Sequence, residues 1–472
     1  MNEVSQKLPM REKLSYGFGD LASVLYWQTF MLYFTFFYTD VFLIPAAVAA
    51  TMFLVSRIWD GVNDPIMGMV ADRTKTRWGK FRPYLLWLCV PFAVVGVLTF
   101  TVPDLGETGK LIWAYVTFNL MMMLYTAINI PYTSLLGVIS ADSKERTTVS
   151  SVKFLFAFSA GIIVSATLLP MVKYFGGGND AKGWQMSFVI YGVAAVIFFL
   201  IAFRGTRERV QPPPGQKSSV KQDLFELLTN TPWLILLAVT ITFILFVAVR
   251  SSVTVHYFKY FIGVQTLTLP FLGTGTYDFN ALTSAFNTVG QISAFIGVFV
   301  VNWFAKVVGK KTAFVIFFII AILSTASYYF LTPDQMGLIF LFQITGSMSG
   351  GPLSVLVWAM YADTADYGEW KRGRRTTGLV FSASTMSQKM GWAFGAFVAL
   401  TLMSQVGFEP NQAQSPESLK GLLLLFSLIP AIFGVIAIAL LGFYPLNEKR
   451  VARIGDELAL RRAKSEPSIR EP

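Results

Sequence analysis

Charged residues interrupt the second apolar stretch of the sequence, FLVSRIWDGVNDPIMGMVADR. Arg57, Asp60 and Asp64 follow one another at intervals of three and four residues, which places them on one face of a helix, with Asn63 beside them. Two carboxylates one turn apart can share a proton, and their oxygens suit a hard cation such as Na⁺. We therefore interpret Asp60, Asn63 and Asp64 as a cation site. The alternative is that Arg57 neutralises the cluster, which then only joins helices.

The composition indicates which kind of structure must carry these residues. Hydrophobic residues make up 54% of the 472 residues, charged residues only 14%, and the mean hydropathy is +0.56, whereas soluble domains carry about 25% charged residues. The excess apolar surface must therefore face lipid, and each spanning helix needs about 20 apolar residues. One cysteine and one histidine exclude a disulfide framework and argue against a metal site or catalytic triad built on them. We expect no cofactor.

Apolar segments recur along the whole chain, six before and six after a polar, proline-containing stretch. This order predicts an all-α membrane protein with twelve transmembrane helices in two six-helix bundles. The predicted bundles are residues 1–206 and 231–446, joined by a cytoplasmic linker at 207–230 and followed by a cytoplasmic tail at 447–472. The twelve segments are 15–38, 46–70, 83–103, 110–137, 150–172, 185–204, 232–262, 281–305, 312–331, 336–362, 377–405 and 421–445.

The 38 lysines and arginines are distributed unequally between alternate loops. If the N-terminus is cytoplasmic, most of them fall in cytoplasmic loops, as the positive-inside rule requires. We therefore predict a multi-pass protein of the inner (plasma) membrane with both termini in the cytoplasm, and no nucleic-acid partner. The basic loops RTKTRWGKFR and EWKRGRR, with neighbouring acids, predict a cytoplasmic gate. Its candidate residues are Asp72, Arg73, Arg77, Asp363, Asp366, Glu369 and Arg374.

Four further polar residues lie in predicted spans. Thr126 and Asn129 are neighbours in the fourth span, MMMLYTAINIPYTSLLG, where Pro131 also frees a backbone carbonyl. They can complete a cation site or form ordinary interhelical hydrogen bonds, and the two interpretations have equal support. Lys153 and Lys389, one from each half, can donate to substrate hydroxyls or pair with carboxylates. Lys153 could instead extend to the cytoplasmic surface.

The first span combines a carboxylate with aromatic residues. Asp20 precedes Tyr26 and Trp27 in this span. Such groups recognise sugars, because sugar hydroxyls need acceptors and the apolar face of a pyranose packs on an aromatic ring. We therefore predict a sugar site there. In the seventh span, Arg250 and the single histidine, His256, either line the cavity or cap the outer end, and we interpret the histidine as structural rather than as a proton relay.

The stretches RIWDGVNDPIMGMVADRTKTRWGKFRPY, YTAINIPY, GWQMSF and YADTADYGEWKRGRR together resemble the glycoside–pentoside–hexuronide:cation symporter family, which belongs to the major facilitator superfamily. The resemblance runs over nearly the whole chain. It implies that Asp60 and Asp64 are the paired carboxylates of the cation site and that Thr126 is a hydroxyl ligand. It also implies that Lys389 is associated with that site. Lys153 stands where the melibiose permease, a member of the family, has a sugar-contacting arginine.

Departures from the family pattern concern the sugar pocket and the coupling ion. Asn129 stands where the melibiose permease has an acidic residue, and the loss of that charge favours H⁺ over Na⁺. The sugar-binding acid of that permease corresponds to Val24, and Asp20 lies one turn earlier. Thr133 and Ser354 replace tryptophans, so a galactoside is not implied. The full set of predicted substrate contacts is Asp20, Tyr26, Trp27, Asn129, Thr133, Lys153, Ser354, Trp358 and Lys389.

These residues predict a monomeric secondary transporter that carries a sugar or glycoside together with a cation by alternating access. The coupling ion is H⁺ or Na⁺, bound at Asp60 and Asp64. A carrier of lysolipids or other amphiphiles on the same scaffold is the alternative, and a membrane sensor or enzyme is a more remote one. The sequence assigns no chemistry to the outer segment at 262–281.

Overall fold

The computed structural model describes residues 7–140, 142–209, 225, 227–269, 273–373 and 377–465. Each of the twelve predicted segments coincides with a helix or a pair of helices. In the described chain, eight of these are long and apolar enough to cross a membrane. The remaining four, which correspond to the first, second, third and eleventh predicted segments, are interrupted or carry a charged residue within the helix.

The helices of the first half carry most of the predicted site. They are α1 (Met10–Phe36), α2 (Ala46–Arg73), α3 (Arg82–Trp87), α4 (Cys89–Thr99), α5 (Glu107–Val138), α6 (Ser143–Gly176) and α7 (Asp180–Gly205). The third predicted segment breaks between α3 and α4, because Pro91 has no N–H to donate to the carbonyl of Trp87. A π-helical turn, Phe37–Val41, follows α1 and positions Asp40.

The second half contains nine helices and two strands in the described chain after residue 230. They are α8 (Thr231–His256), β1 (Gln265–Leu269), β2 (Gly273–Tyr277), α9 (Phe279–Val308), α10 (Lys310–Ser327), α11 (Met336–Gly350), α12 (Leu353–Arg372), α13 (Thr377–Gln405), α14 (Pro416–Phe426), α15 (Leu428–Gly442) and α16 (Glu448–Ser465). A second π-helical turn, Tyr257–Ile262, follows α8. The tail helix α16 packs on α12, where the indole of Trp370 donates to Glu457 at 2.6 Å.

A β-hairpin lies in the outer segment to which the sequence assigned no role. Strands β1 and β2 pair antiparallel, for example with Thr268 opposite Thr274. The segments QTLTL and GTGTY place threonine at alternate positions, a β-branched residue that suits a strand with one exposed face. Beyond β2, Asp278 forms an ion pair with Lys173 of α6 at 2.8 Å. The hairpin is an addition to the helical fold that the sequence predicted.

The chain divides into two compact units. The first contains Met1–Gly215, Ser251–Gln291 and Ala396–Leu423, and the second contains Gln216–Arg250, Ile292–Gly395 and Leu424–Pro472. The first unit therefore includes the π-helical turn after α8, the hairpin and the loop between α13 and α14, together with α1 to α7. The predicted division of the sequence at residues 206 and 231 follows chain order and stays a prediction.

Aromatic packing fixes α1 against α5 in the first unit. Tyr16 and Tyr132 stack with their ring centroids 4.7 Å apart, and each hydroxyl donates to the backbone carbonyl of the other residue, at 3.1 and 2.7 Å. Gly19 permits this approach, because a Cβ atom there would collide with the ring of Tyr132. Asp20 is the next residue, so the same packing orients its carboxylate.

The second unit has an aromatic core of its own. The ring of Phe243 on α8 meets Phe314 and Phe318 of α10 edge-to-face, with centroids 6.0 and 5.4 Å away. Nearby, the hydroxyls of Thr240 and Tyr361 are hydrogen-bonded at 2.7 Å, which joins α8 to α12. Both units therefore hold their helices together through buried rings and a few buried polar contacts.

Candidate functional site

The two carboxylates of α2 meet one hydroxyl of α5. Thr126 Oγ1 lies 2.8 Å from Asp60 Oδ1 and 2.9 Å from Asp64 Oδ1. Asp60 and Thr126 are each 2% exposed, and Asp64 is half-buried. The structure therefore brings together three of the predicted cation ligands from two helices. The spacing within α2 indicated the carboxylate pair, whereas the approach of α5 depends on packing.

The geometry of this cluster constrains its protons. A threonine hydroxyl has one hydrogen to donate, and an ionised carboxylate can only accept. The hydroxyl of Thr126 therefore donates to one carboxylate at a time. Its second short contact is a hydrogen bond only if the other carboxyl group carries a proton and donates it to the hydroxyl oxygen. Three oxygens from two helices therefore lie within hydrogen-bond distance of one another through Thr126, and their role as a proton or cation site stays a prediction.

The two asparagines of the predicted cation site differ in what they contact. Asn63 lies on α2 and is half-buried. The side-chain amide of Asn129 donates to the backbone carbonyl of Tyr125 on its own helix at 3.0 Å. This bond leaves the side-chain oxygen of Asn129 as the group that can accept a hydrogen bond. The side chain of Arg57 lies outside the described residues, so its neutralising role stays a prediction.

Two of the predicted sugar contacts, Asp20 and Lys153, are paired between α1 and α6. Lys153 Nζ lies 3.5 Å from Asp20 Oδ1 and 5.7 Å from the ring centroid of Tyr132. Asp20 is 8% exposed, so the lysine extends to a buried carboxylate. Thr133, which follows Tyr132 in the chain, is exposed. The pair presents a hydrogen-bond acceptor and a donor side by side.

The two neighbouring aromatic residues of α1 have different surroundings. Trp27 stacks on Tyr125 with the ring centroids 5.3 Å apart and is half-buried. Tyr26 is fully buried, with its ring centroid 4.6 Å from that of Phe92 and 5.4 Å from that of Phe188. Trp27 is therefore only partly covered by its neighbours. Tyr26 belongs to the core between α1, α4 and α7, apart from Asp20 and Lys153.

Three predicted substrate contacts lie in the second unit. Ser354 and Trp358 are one turn apart on α12, and both are half-buried. The indole of Trp358 packs edge-on to Tyr361 at 6.0 Å, and the hydroxyl of Ser354 donates to the carbonyl of Gly351 at 3.2 Å. Lys389 is half-buried on α13. Ser354 and Trp358 therefore share one side of α12.

Arg250 is held inside the second unit. Its guanidinium donates to Gln343 Oε1 at 2.7 Å and lies over the rings of Tyr328 and Phe426, at 4.9 and 5.0 Å from their centroids. Aromatic faces and an amide oxygen stabilise a cation in a span. These contacts join α8 to α11 and α14. The single histidine has a different environment, described below.

The candidate gate residues of the second unit lie on α12. Lys310 Nζ at the start of α10 contacts Asp363 Oδ1 at 2.7 Å. Asp366 and Glu369 follow on the same helix and are half-buried. Arg374 lies outside the described residues. Asp363 is therefore engaged with a lysine of its own unit.

The candidate gate residues of the first unit lie at the end of α2 and in the loop after it. Arg73 and Arg77 are exposed, and the guanidinium of Arg77 lies 4.4 Å from the ring centroid of Trp78. The side chain of Asp72 lies outside the described residues. The role of these arginines in a gate stays a prediction.

Glu208 is a positioning residue for this loop that the sequence interpretation missed. Its carboxylate accepts three consecutive backbone N–H groups, from Lys80, Phe81 and Arg82, at 2.9, 2.8 and 3.0 Å. Gly79 precedes them with a φ of 108°, where a side chain would collide with that carboxylate. Consecutive N–H groups form an anion-binding nest, and a glycine before a helix start is the signal that could have indicated it.

Ion pairs also hold the N-terminal ends of α1 and α6 and the chain after α7. Glu145 accepts from Lys13 at 2.7 Å and from the backbone N–H of Leu8 at 3.0 Å. The hydrogen bond from Lys13 holds the pKa of the Glu145 carboxyl below its ordinary value. Glu12 pairs with Arg209 at 2.7 Å. The contact with Arg209 ties the start of the predicted linker, at residues 207–230, to α1.

The fold and these clusters are those of a membrane transporter, and comparison with known proteins specifies the class. A family model described as MFS/sugar transport protein matches residues 15–448, and the chain belongs to that family. The isoprimeverose transporter of Lactiplantibacillus pentosus is 37% identical over 454 residues, covering 95% of this chain and 91% of the relative. The inner membrane symporter YicJ of Escherichia coli is 34% identical over 462 residues, covering 96% of each chain.

Solved structures agree on the fold. A bacterial homologue of the human lysosomal transporter Spinster, in an inward-facing and occupied conformation, superposes with a TM-score of 0.65 at 14% identity, covering 92% of this chain and 95% of that chain. The nucleoside transporter NupG gives a TM-score of 0.60 at 12% identity, covering 91% and 98%. The chain is therefore a multi-pass membrane transporter, not an enzyme. The predicted fold class and the resemblance to glycoside and cation symporters are confirmed.

Proposed function

We propose that the protein is a symporter that moves a sugar or glycoside across the membrane together with a cation, and that this cation is H⁺ rather than Na⁺. The relatives support the first part, because one is named for isoprimeverose transport and another is named a symporter. The acidic cluster of α2 supports the second part. In this proposal both termini face the cytoplasm, as the distribution of lysine and arginine favours.

One observation carries the cation assignment: the hydroxyl of Thr126 is within hydrogen-bond distance of both Asp60 and Asp64. Two ionised carboxylates on one face of a spanning helix are costly in a membrane. A bound proton removes one of these charges and supplies the hydrogen that the second short contact needs. The amide at Asn129, which replaces an acid of the melibiose permease, also lowers the negative charge available to Na⁺.

Coupling follows if the cation and the sugar both favour the same conformations. Protonation of the Asp60–Asp64 pair lowers the free energy of states in which that site is sealed from water. Sugar binding shifts the same equilibrium, and the shared shift is a coupling free energy between the two ligands. The transporter then alternates its access between the two sides of the membrane, as two-bundle secondary transporters do.

The sugar site in this proposal is built around the paired Asp20 and Lys153. The carboxylate accepts hydrogen bonds from sugar hydroxyls, and the ammonium, 3.5 Å away, donates to them. The half-buried indole of Trp27, stacked on Tyr125, offers an apolar face on which a pyranose ring packs. Tyr26 is part of the surrounding core and takes no direct contact.

The experiment is uptake into proteoliposomes that contain the purified protein. Labelled isoprimeverose and a panel of other glycosides and pentoses are offered under separately imposed inward H⁺ and Na⁺ gradients. We expect at least one sugar to accumulate under the H⁺ gradient, and a protonophore to abolish this accumulation. Accumulation driven by Na⁺ alone would overturn the choice of ion. Transport that lysolipids inhibit and sugars do not would favour the amphiphile carrier instead.

A further inference from the structure

The outer end of α1, on the predicted topology, contains a fully enclosed carboxylate. The side chain of Asp40 is 0% exposed. Its Oδ1 accepts from Lys259 Nζ at 2.8 Å and from the hydroxyl of Tyr260. Its Oδ2 lies 3.1 Å from His256 Nε2 and 2.7 Å from the hydroxyl of Thr39. Four polar side chains therefore surround this carboxylate, and the hydroxyl of Thr39 also lies 2.9 Å from the carbonyl of Thr35 and 3.0 Å from His256 Nε2, with one hydrogen to donate.

A third segment of the first unit joins this cluster through Asn411, in the loop between α13 and α14. Its side-chain amide donates to the backbone carbonyl of Asp40 at 2.7 Å, and its backbone N–H donates to the hydroxyl of Tyr260 at 2.8 Å. Its side-chain oxygen accepts from Lys259 Nζ at 2.5 Å. Asn411 has a φ of 60°, a left-handed conformation that asparagine tolerates better than most residues.

Apolar rings cover the histidine side of the cluster. His256 is 0% exposed and packs against Phe36 and Phe408, whose ring centroids are 5.7 and 5.3 Å away. In the described chain, Nδ1 of His256 has no hydrogen-bond partner. Nε2 is therefore the ring nitrogen through which His256 meets Asp40. The cluster combines the ion pair of Asp40 and Lys259 with contacts to His256, Tyr260 and Thr39.

We propose that Asp40 is a positioning residue of the transport cycle, the centre of a latch made by Asp40, His256, Lys259, Tyr260 and Asn411. The latch holds the end of α8 and the loop between α13 and α14 on the end of α1. Separating the members of a buried ion pair leaves uncompensated charges, so the closed latch is favoured over the open one. The ends of α1 and α8 must part before the transporter can open toward the outside, and the latch must break for this to happen.

A contact one turn deeper provides the reporter for this separation. The hydroxyl of Thr35 donates to the backbone carbonyl of Ser252, and the side chain of Ser252 is buried, with the residue 7% exposed. A cysteine at this position would react with a reagent only when the ends of α1 and α8 part. The single native cysteine, Cys89, is buried in α4 and can be replaced to leave one thiol.

The test uses intact cells that express the full chain with Cys89→Ala and Ser252→Cys. A membrane-impermeant maleimide is applied from outside, and the labelling rate is measured with and without Asp40→Asn. We expect Asp40→Asn to raise the rate about tenfold or more, because a hydrogen bond to a charged group is worth at least about one decade in an equilibrium. The matched control is Asp278→Asn, which removes an acid paired with Lys173 in the same unit, and it should leave the rate unchanged.

Two milder variants test the latch in case Asp40→Asn does not fold. Tyr260→Phe removes one hydroxyl from the latch, and Asn411→Ala removes the tie to the loop, so both should also speed labelling. An unchanged rate in these variants, or an equal rise with Asp278→Asn, would overturn the latch. The measurement needs neither sugar nor an ion gradient. It therefore fails or succeeds independently of the proposed symport, which is tested by uptake.

Discussion

Two acidic clusters of the first unit, one at Asp40 and one at Asp60 and Asp64, differ in what surrounds them. Asp40 is surrounded by four polar side chains from the ends of α1 and α8. The Asp60–Asp64 pair places two acids around one hydroxyl of Thr126. Donors stabilise a charged carboxylate and can hold segments together, whereas a proton or a cation can be shared between two neighbouring carboxylates. In the two proposals, the Asp40 cluster is structural and the Asp60–Asp64 pair exchanges the coupling ion.

The largest expected effect is on the exchanging cluster. Asp64→Asn keeps the shape of the side chain but removes an acid to which the proposal assigns the cation, so uphill sugar accumulation should be abolished while the protein reaches the membrane. Uptake against a gradient in proteoliposomes measures this. The exposed Asp104 provides the control, and Asp104→Asn should transport normally. Normal accumulation by Asp64→Asn would show that the Asp60–Asp64 pair does not carry the coupling ion.

The next effect concerns the stability of the latch. Asp40→Asn leaves Lys259, which is 17% exposed, without its buried counter-charge. Breaking a buried pair in this way costs about 3–5 kcal/mol, so the thermal unfolding temperature in detergent should fall by several degrees. Asp64→Asn should change it much less. A larger loss of stability in Asp64→Asn than in Asp40→Asn would reverse the roles assigned to the two clusters.

A smaller effect is expected from removing the shared hydroxyl. Thr126→Val keeps the side-chain volume and deletes the hydrogen bond to the carboxylates, which is worth about 1.5–3 kcal/mol when the acceptor is charged. The apparent affinity for the coupling ion should weaken about tenfold or more, as measured from the ion dependence of uptake. Thr117→Val is the matched control, because Thr117 donates to the carbonyl of Trp113 in its own helix. An equal change in both variants would argue against a role for Thr126 at the ion.

The smallest effect is expected at Glu208, a second carboxylate rich in donors. Glu208→Gln keeps one acceptor oxygen for the N–H groups of Lys80, Phe81 and Arg82 and loses the charge. The cost should be about 1 kcal/mol, comparable to that of a lost helix cap. Thermal unfolding should therefore shift only slightly, with transport retained. Loss of transport without loss of stability would instead place Glu208 in the exchanging class.

The sequence predicted the helical segments well, because twenty-residue apolar runs and the positions of lysine and arginine are local features. It also predicted that Asp60 and Asp64 share a helix face, since the helical repeat alone decides that. The sequence did not predict that Tyr26 is a core residue whereas Trp27 is half-buried, because both are aromatic and adjacent in the chain. Their different surroundings depend on where α4 and α7 pack. The hairpin at β1 and β2 was missed because its apolar content is low.

What the sequence determined by itself is the class of the protein and which charges fall within apolar helices, because hydropathy and helical spacing act within one segment. Only the tertiary structure decided which charges meet. Thr126 joins the carboxylates of α2 from another helix, and Asp40, His256, Lys259 and Asn411 come from three distant segments. Contacts between distant segments depend on how whole helices pack, and the residues involved carry no spacing that a sequence could reveal.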